Sequence, residues 1–370
     1  MSDPLDNSAA TLVSSDSELP PRKRARTADL EESSGAHSGD APPKDPQRHE
    51  NLWFPDGNVV LISTDDIAFR LHKSVLGRHS SLFRDMFTLP QPQGANTEEF
   101  DGCPAVRLQD SGNSVAGLIS IFYDGPDWVT HDTNKTRIPS FMVFAMLMDM
   151  AHKYQVEPIR LELVRRLEIY FPRKLHGLPF AFDLRPASFP PGCYSAIINM
   201  QKRDAVRVIL LAQRYDMPQL LPTAYYTCSQ LPTTEIPNHL TYVDGYSCRL
   251  GRSDIKRCIQ GKEKLSQTRT QIIITVINSA ACGNSEQFNA SGKLAMIKCA
   301  ASDGILHSSD VLDCKGFNEW LDGTKTNPAI SASYCLNCWN SIKEAYKVAA
   351  QEVFQRLDVM YHVKGWSSVQ

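Results

Sequence analysis

Apolar and polar positions change rhythm along the chain, and each rhythm predicts an element. Residues 58–63 hold the unbroken apolar run Val59-Val60-Leu61-Ile62 behind the turn signal Pro55-Asp56-Gly57, which predicts a buried strand. Ile67, Phe69 and Leu71 then alternate with Ala68 and Arg70, the period of two expected of a hairpin partner reached through Thr64-Asp65-Asp66. From 73 to 87 the spacing lengthens: Val75, Leu76, His79, Leu82, Phe83, Met86 and Phe87 recur at three and four residues, predicting a helix with one face on a core. A polar loop over 90–102, a third strand over 105–108 and a helix over 115–123, ended by Pro126, follow. Residues 141–154 read as a strongly apolar helix, and Ile159, Leu163, Leu167 and Tyr170 give the next helix its stripe.

An internal echo appears at this point. Ala151, Tyr154, Val156 and Ile159 have counterparts at the same spacing in Ala212, Tyr215, Met217 and Leu220, and apolar pairs precede both sets (Leu147 and Met148; Val208 and Ile209). The spacing implies two helix-turn-helix units of one kind. Pro158 and Pro218 stand where a second helix would begin, where a fixed φ costs little. Beyond, 253–265 reads as a capped helix, 272–277 as a strand or a buried helical turn, and 283–312 as a stretch broken by Gly and Ser. Residues 335–361 read as a long final helix.

Residues 1–48 carry too few apolar side chains to define a buried face and read as a disordered tail. Within it Arg22, Lys23, Arg24 and Arg26 follow Pro20-Pro21 on an extended, exposed segment, the pattern of a nuclear-import signal; a solvated charge cluster is the alternative. Over all 370 residues, 39 Lys and Arg against 41 Asp and Glu leave a net charge of -2, so no chain-wide field attracts nucleic acid or anionic lipid. The uncharged stretch 270–285 contains Asn, Ser and Gly and falls short of the ~20 apolar residues that span a bilayer. The start of the chain lacks the apolar core of a secretory signal, and the ten cysteines are scattered, so a reducing compartment, nucleus or cytoplasm, is expected, without disulfides.

The segments Asn58-Val-Val-Leu-Ile-Ser63, Phe69-Arg-Leu-His-Lys-Ser-Val-Leu76 and Ser80-Ser-Leu-Phe-Arg-Asp-Met-Phe87 together resemble the opening of a BTB (POZ) domain. Val106-Arg-Leu108, a helix ending in Ile121-Phe-Tyr123 and Gly125, and Ala151-His-Lys-Tyr-Gln-Val156 continue the likeness, which covers about residues 50–172. Asn58 stands where the family usually has Asp. The resemblance implies an α+β fold, a small β-sheet capped by a helical cluster, followed by a mostly α-helical C-terminal extension. That extension would comprise residues 173–252, carrying the echo, and 253–370. It is similar to the extension in BTB proteins of mushroom-forming fungi, where a segment like Ser253-Asp-Ile-Lys-Arg-Cys-Ile-Gln-Gly-Lys-Glu-Lys-Leu265 and a late Cys-x-x-Cys helix recur.

The residues behind the likeness read as structural: Val60, Phe69, Leu71, Leu76, Phe83, Met86, Phe87 and Tyr154 as core, each large apolar group contributing ~1.5–3 kcal/mol when buried. His72 reads as a hydrogen-bonded structural histidine, since no suitably spaced ligand or acid accompanies it. No phosphate loop, nucleophile elbow, His-Glu-x-x-His or paired carboxylates are present, so no enzyme is expected. Cys335 and Cys338, with Cys282 and Cys299, have the donor chemistry for one tetrahedral zinc; alternatively both late cysteines lie on the apolar face carrying Ile342, Tyr346 and Ala349. With no second Cys-x-x-Cys, no cofactor is expected, zinc being the alternative. No thioredoxin-like strand precedes the pair, so a catalytic redox role is not expected either. The expected function is protein–protein interaction. The resemblance implies BTB-mediated self-association into a homodimer, or docking to a cullin scaffold as a ubiquitin-ligase adaptor. The alternative is a nuclear transcriptional regulator that dimerises through the same domain. Protein partners are expected, without direct nucleic acid or membrane contact.

Overall fold

Backbone pairing follows the period-two segments. The computed structural model describes residues 45–89, 98–125, 141–175, 200–242, 246–280 and 286–365. Strands β1 (Gln47–Trp53), β2 (Val59–Ile62), β3 (Ile67–Leu71), β4 (Glu99–Phe100) and β5 (Cys103–Arg107) form one sheet in the order β1-β3-β2-β5-β4. β2 is central and all four of its residues are buried, which is why its sequence is an apolar run without alternation. It runs antiparallel to β3, with Leu61 opposite Phe69, and parallel to β5, with Leu61 opposite Val106. Order begins before Trp53. β1 pairs in parallel with β3 from Gln47 opposite Ile67, so Gln47 and Arg48 belong to the sheet and not to the tail. Its side chains are mostly polar and exposed, as suits an edge strand, and that polarity hides it from a hydrophobic pattern.

The helix expected over 73–87 is two helices, α1 (Lys73–His79) and α2 (Ser81–Thr88). Ser80 divides them because its backbone is extended (φ -125°, ψ 122°). Its hydroxyl accepts from the Phe83 N–H at 3.1 Å, capping α2, and donates to the Tyr154 carbonyl at 2.6 Å. Helix α3 (Gly112–Asp124) starts at the Ser111 cap and stops at Gly125, whose φ of 75° ends it; Pro126 lies outside the described residues.

The echoed units share one backbone device. Helices α4 (Phe141–Lys153) and α5 (Glu157–Tyr170) form the first unit. In the second, α6 (Ala205–Arg214) is followed by a short 3-10 turn, Pro218–Leu220, and α7 (Leu221–Ser229). Both α4 and α6 end in a Schellman turn, in which a left-handed residue lets the next N–H reach back to a carbonyl five residues earlier. Gln155 (φ 54°) sends the Val156 N–H to the Ala151 carbonyl, and Asp216 (φ 50°) sends the Met217 N–H to the Ala212 carbonyl, each at 2.8 Å. A third copy closes the chain: His362 (φ 53°) sends the Val363 N–H to the Asp358 carbonyl at 2.8 Å.

Each turn has a tyrosine at its cap, and each tyrosine reaches into another element. Tyr154 donates to Asp110 at 2.6 Å, Tyr215 to Asp149 of α4, and Tyr361 to Ser229 of α7 at 2.9 Å. A two-stranded ribbon, β6 (Leu240–Thr241) with β7 (Ser247–Cys248), follows α7. The remaining helices are α8 (Arg252–Ser279), α9 (Glu286–Ser302), α10 (Cys314–Gly323), α11 (Pro328–Ser331), α12 (Leu336–Gln355) and α13 (Leu357–Met360). Thus 272–277 is helical and continuous with 253–265, while much of 283–312 forms α9 and the final helix is two.

The chain is therefore mixed α/β, a small sheet followed by a mostly helical region. One hydrophobic core runs from Leu52 to Tyr361, and Asp45–Gln370 form one compact unit. The junction expected at 252/253 falls in the first turn of α8.

Candidate docking surface

The predicted core residues occupy two faces of the sheet. Phe69, Leu71, Leu76, Phe83 and Tyr154 lie in the main core, with the Phe83 and Tyr154 rings stacked at 4.8 Å. Val60 is equally buried but on the other face, with Ile62, Ala68 and Cys103, because neighbours in a strand point to opposite sides. Met86 and Phe87, expected inside, are only half-buried at the core's margin. The break at Ser80 separates α2 from α1, so the stripe read across 73–87 does not continue as a single buried face.

His72 is half-buried at the start of α1. Its Nδ1 lies 3.1 Å from the Tyr123 hydroxyl and its Nε2 3.2 Å from Asp56. Its backbone N–H donates to the same hydroxyl at 2.9 Å. The hydrogen bond from His72 is the chief cause holding the Asp56 carboxyl below its ordinary value. Both ring nitrogens are thus engaged in joining the β1–β2 turn to α3.

The Schellman turns shape the surface above this core. Where the start of α2, the α4–α5 turn and the end of α6 meet, an open groove of roughly 600 Å³ is lined by Ser81, His152, Gln155, Glu157, Arg160, Tyr215 and Asp216, together with Ala151. Gln155 and Asp216, the left-handed residues of the two turns, are both exposed there. His152 lies against the Tyr215 ring at 4.2 Å. Ser81 donates its proton to the Gln155 amide oxygen at 2.6 Å, which directs it away from any general base. Glu157 and Arg160 form a bidentate pair at 2.7 and 2.8 Å, and this hydrogen bonding holds Glu157 below the usual carboxylate range. Burial, then Asp149, push the Tyr215 phenol up to about 12, so at neutral pH it is a donor and not an anion. The groove therefore offers amide, imidazole, carboxylate and guanidinium groups beside Ala151 and the Tyr215 ring, a pattern for recognising a polar chain segment. Hydrophobic periodicity passes over the polar residues of the groove; the echo at Ala151 and Tyr215 and the quoted segment 151–156 mark only part of it.

The four zinc candidates do not form a described site. Cys282 lies outside the described residues, as do Arg22, Lys23, Arg24 and Arg26. Cys299 donates to Asp303 at 3.1 Å, and burial and that carboxylate raise its thiol to about 11. Cys335 and Cys338 lie with their sulfurs 3.6 Å apart. They do not share the apolar face of α12: Cys335 is the exposed cap before the first turn, and Cys338 alone is buried. Among the described residues no three His, Cys, Asp or Glu side chains gather as a metal ion would need, and no helix is long and apolar enough to cross a membrane.

No protein-family model matches the chain, and no curated protein matches it.

Proposed function

We propose that the chain works by docking proteins, through a BTB-type unit over residues 50–172, with the helical extension supporting a second surface. The observation that carries this reading is the use made of the residues behind the resemblance. Phe69, Leu71, Leu76, Phe83 and Tyr154 are consumed by the core, and His72 by links between elements, leaving the exterior as the working part. The mixed polar and apolar groove beside the α4–α5 turn supports the same reading. Docking onto a cullin scaffold as a ubiquitin-ligase adaptor and self-association are its two concrete forms. Affinity purification of the tagged chain, followed by identification of bound proteins, tests it. Enrichment of a cullin supports the adaptor form, and a dimer by light scattering with no cullin supports self-association. A monomer that enriches neither a cullin nor any other protein overturns the reading.

The basic cluster Arg22, Lys23, Arg24 and Arg26 favours a second reading, a nuclear regulator that dimerises through the same unit. Changing all four to Ala is expected to move a fluorescent fusion out of the nucleus; an unchanged distribution removes this reading.

A further inference from the structure

We propose that Cys335 and Cys338 form a thiol–disulfide exchange site that takes a low-molecular-weight disulfide, with Cys335 as attacking sulfur and Cys338 as resolving sulfur. The division of labour follows from where the helix starts. Cys335 is the N-cap residue of α12, with φ -86° and ψ 170°, and is exposed; Cys338 is three residues into the chain beyond it and is 3% exposed. Because Cys335 still has an extended backbone, its side chain turns back over the first helical turn, and the two sulfurs lie 3.6 Å apart. Residues three apart at a helix start have Cα atoms about 5 Å apart, inside the span a disulfide bridges. Cys335 thus stands at the start of a 20-residue helix, with the first turn of α12 following it directly.

The surroundings of Cys338 add an independent observation. Tyr334 is 6% exposed, and its hydroxyl is buried with no hydrogen-bond partner among the described residues. Burial, and then the charge Cys338 would carry, push that phenol up to about 12. That hydroxyl is a buried donor without a partner, near enough to Cys338 to respond to its charge, and the Cys338 thiolate that attacks the mixed disulfide is an anion it would serve. Trp339, 4% exposed and 5.6 Å from the Tyr334 ring, helps close off the interior side. The absence of a preceding strand does not matter: the helix start alone sets one sulfur outside and the other within reach.

The exchange balances in two steps. The Cys335 thiolate attacks one sulfur of the small disulfide, forming a mixed disulfide and releasing one thiolate, which takes up a proton. Cys338 then gives its proton to solvent, its sulfur attacks Sγ of Cys335, and the second small thiolate leaves and takes up a proton. Two protein thiols are oxidised to one disulfide, and one small disulfide is reduced to two thiols.

The test uses the full chain, reduced and then equilibrated in glutathione buffers of increasing oxidised fraction, quenched with acid, alkylated and digested with trypsin. Cleavage after Lys325 and Lys343 yields a fragment whose only cysteines are Cys335 and Cys338. The expected result is loss of both alkylation sites together, with a fragment lighter by two hydrogens. In Cys338→Ser the fragment should instead keep one glutathionyl group on Cys335, and in Cys335→Ser Cys338 should remain alkylatable throughout, both variants retaining wild-type circular dichroism. Both thiols staying alkylatable at every buffer ratio, a wild-type fragment that stops at the mixed disulfide, or equal reaction of Cys338 in Cys335→Ser would each overturn the proposal.

Discussion

Gly261 is small because Tyr361 needs the space. A Cβ there would overlap the Tyr361 ring, which is fully buried, stacks on Tyr225 at 5.6 Å and donates to Ser229. Two effects compete in Gly261→Ala. Alanine would gain about 1 kcal/mol of helix propensity in mid-α8, whereas overpacking a buried ring costs about 1–3 kcal/mol. The ring has no open side toward which to relax, so net destabilisation is expected, seen as a lower urea midpoint at unchanged slope.

At the scale of elements, caps and not propensities decide where helices begin and end. Ser80 splits one apolar stripe into two helices, and Gln155, Asp216 and His362 each end a helix with a left-handed residue. The start of α6 adds a titrating group. Asp204 accepts from the Gln201 N–H at 2.8 Å and from Tyr242 at 3.0 Å, yet burial outweighs both and holds its carboxyl above the ordinary 3.8. A raised native value means the folded chain takes up this proton before the unfolded chain does. Asp204 therefore adds stability as pH falls from neutral through its native value, and the gain levels off below the unfolded value of 3.8. Asp204→Asn should lack this increment, so the wild-type-minus-variant difference in unfolding free energy should grow on acidification and then plateau.

Across the whole molecule, the cap tyrosines tie successive parts together. Tyr215 joins α6 to Asp149 of α4, an aspartate that also faces Arg207 and Arg214 at 3.9 and 3.4 Å. Tyr215→Phe removes the hydroxyl alone and should cost about 1 kcal/mol. Because the contact is local to this joint, amide hydrogen exchange should quicken in α4 and α6 while the β2–β3 ladder keeps its protection. Equal loosening of the sheet would mean that the joint is not where the parts are coupled.

Much of this architecture is legible in the residues themselves. The apolar run of β2, the alternation of β3 and the stripes of α4 and α5 follow from burial on two faces, one face and one helical side, a property the order of side chains records directly. The paired Ala-x-x-Tyr spacings likewise mark α4 and α6, since a Schellman turn has a local sequence requirement. Other features depend on partners distant in sequence. β1 is a strand because β3 offers it a free edge, and its polar side chains carry no trace of that pairing. Ser80 breaks a helix because the Tyr154 carbonyl, 74 residues away, accepts its proton. The third turn, at Tyr361, escapes notice because Asp358 stands where the other two have Ala. The separate fates of Cys335 and Cys338 were set by one residue's difference in where α12 begins, and that boundary depends on tertiary packing.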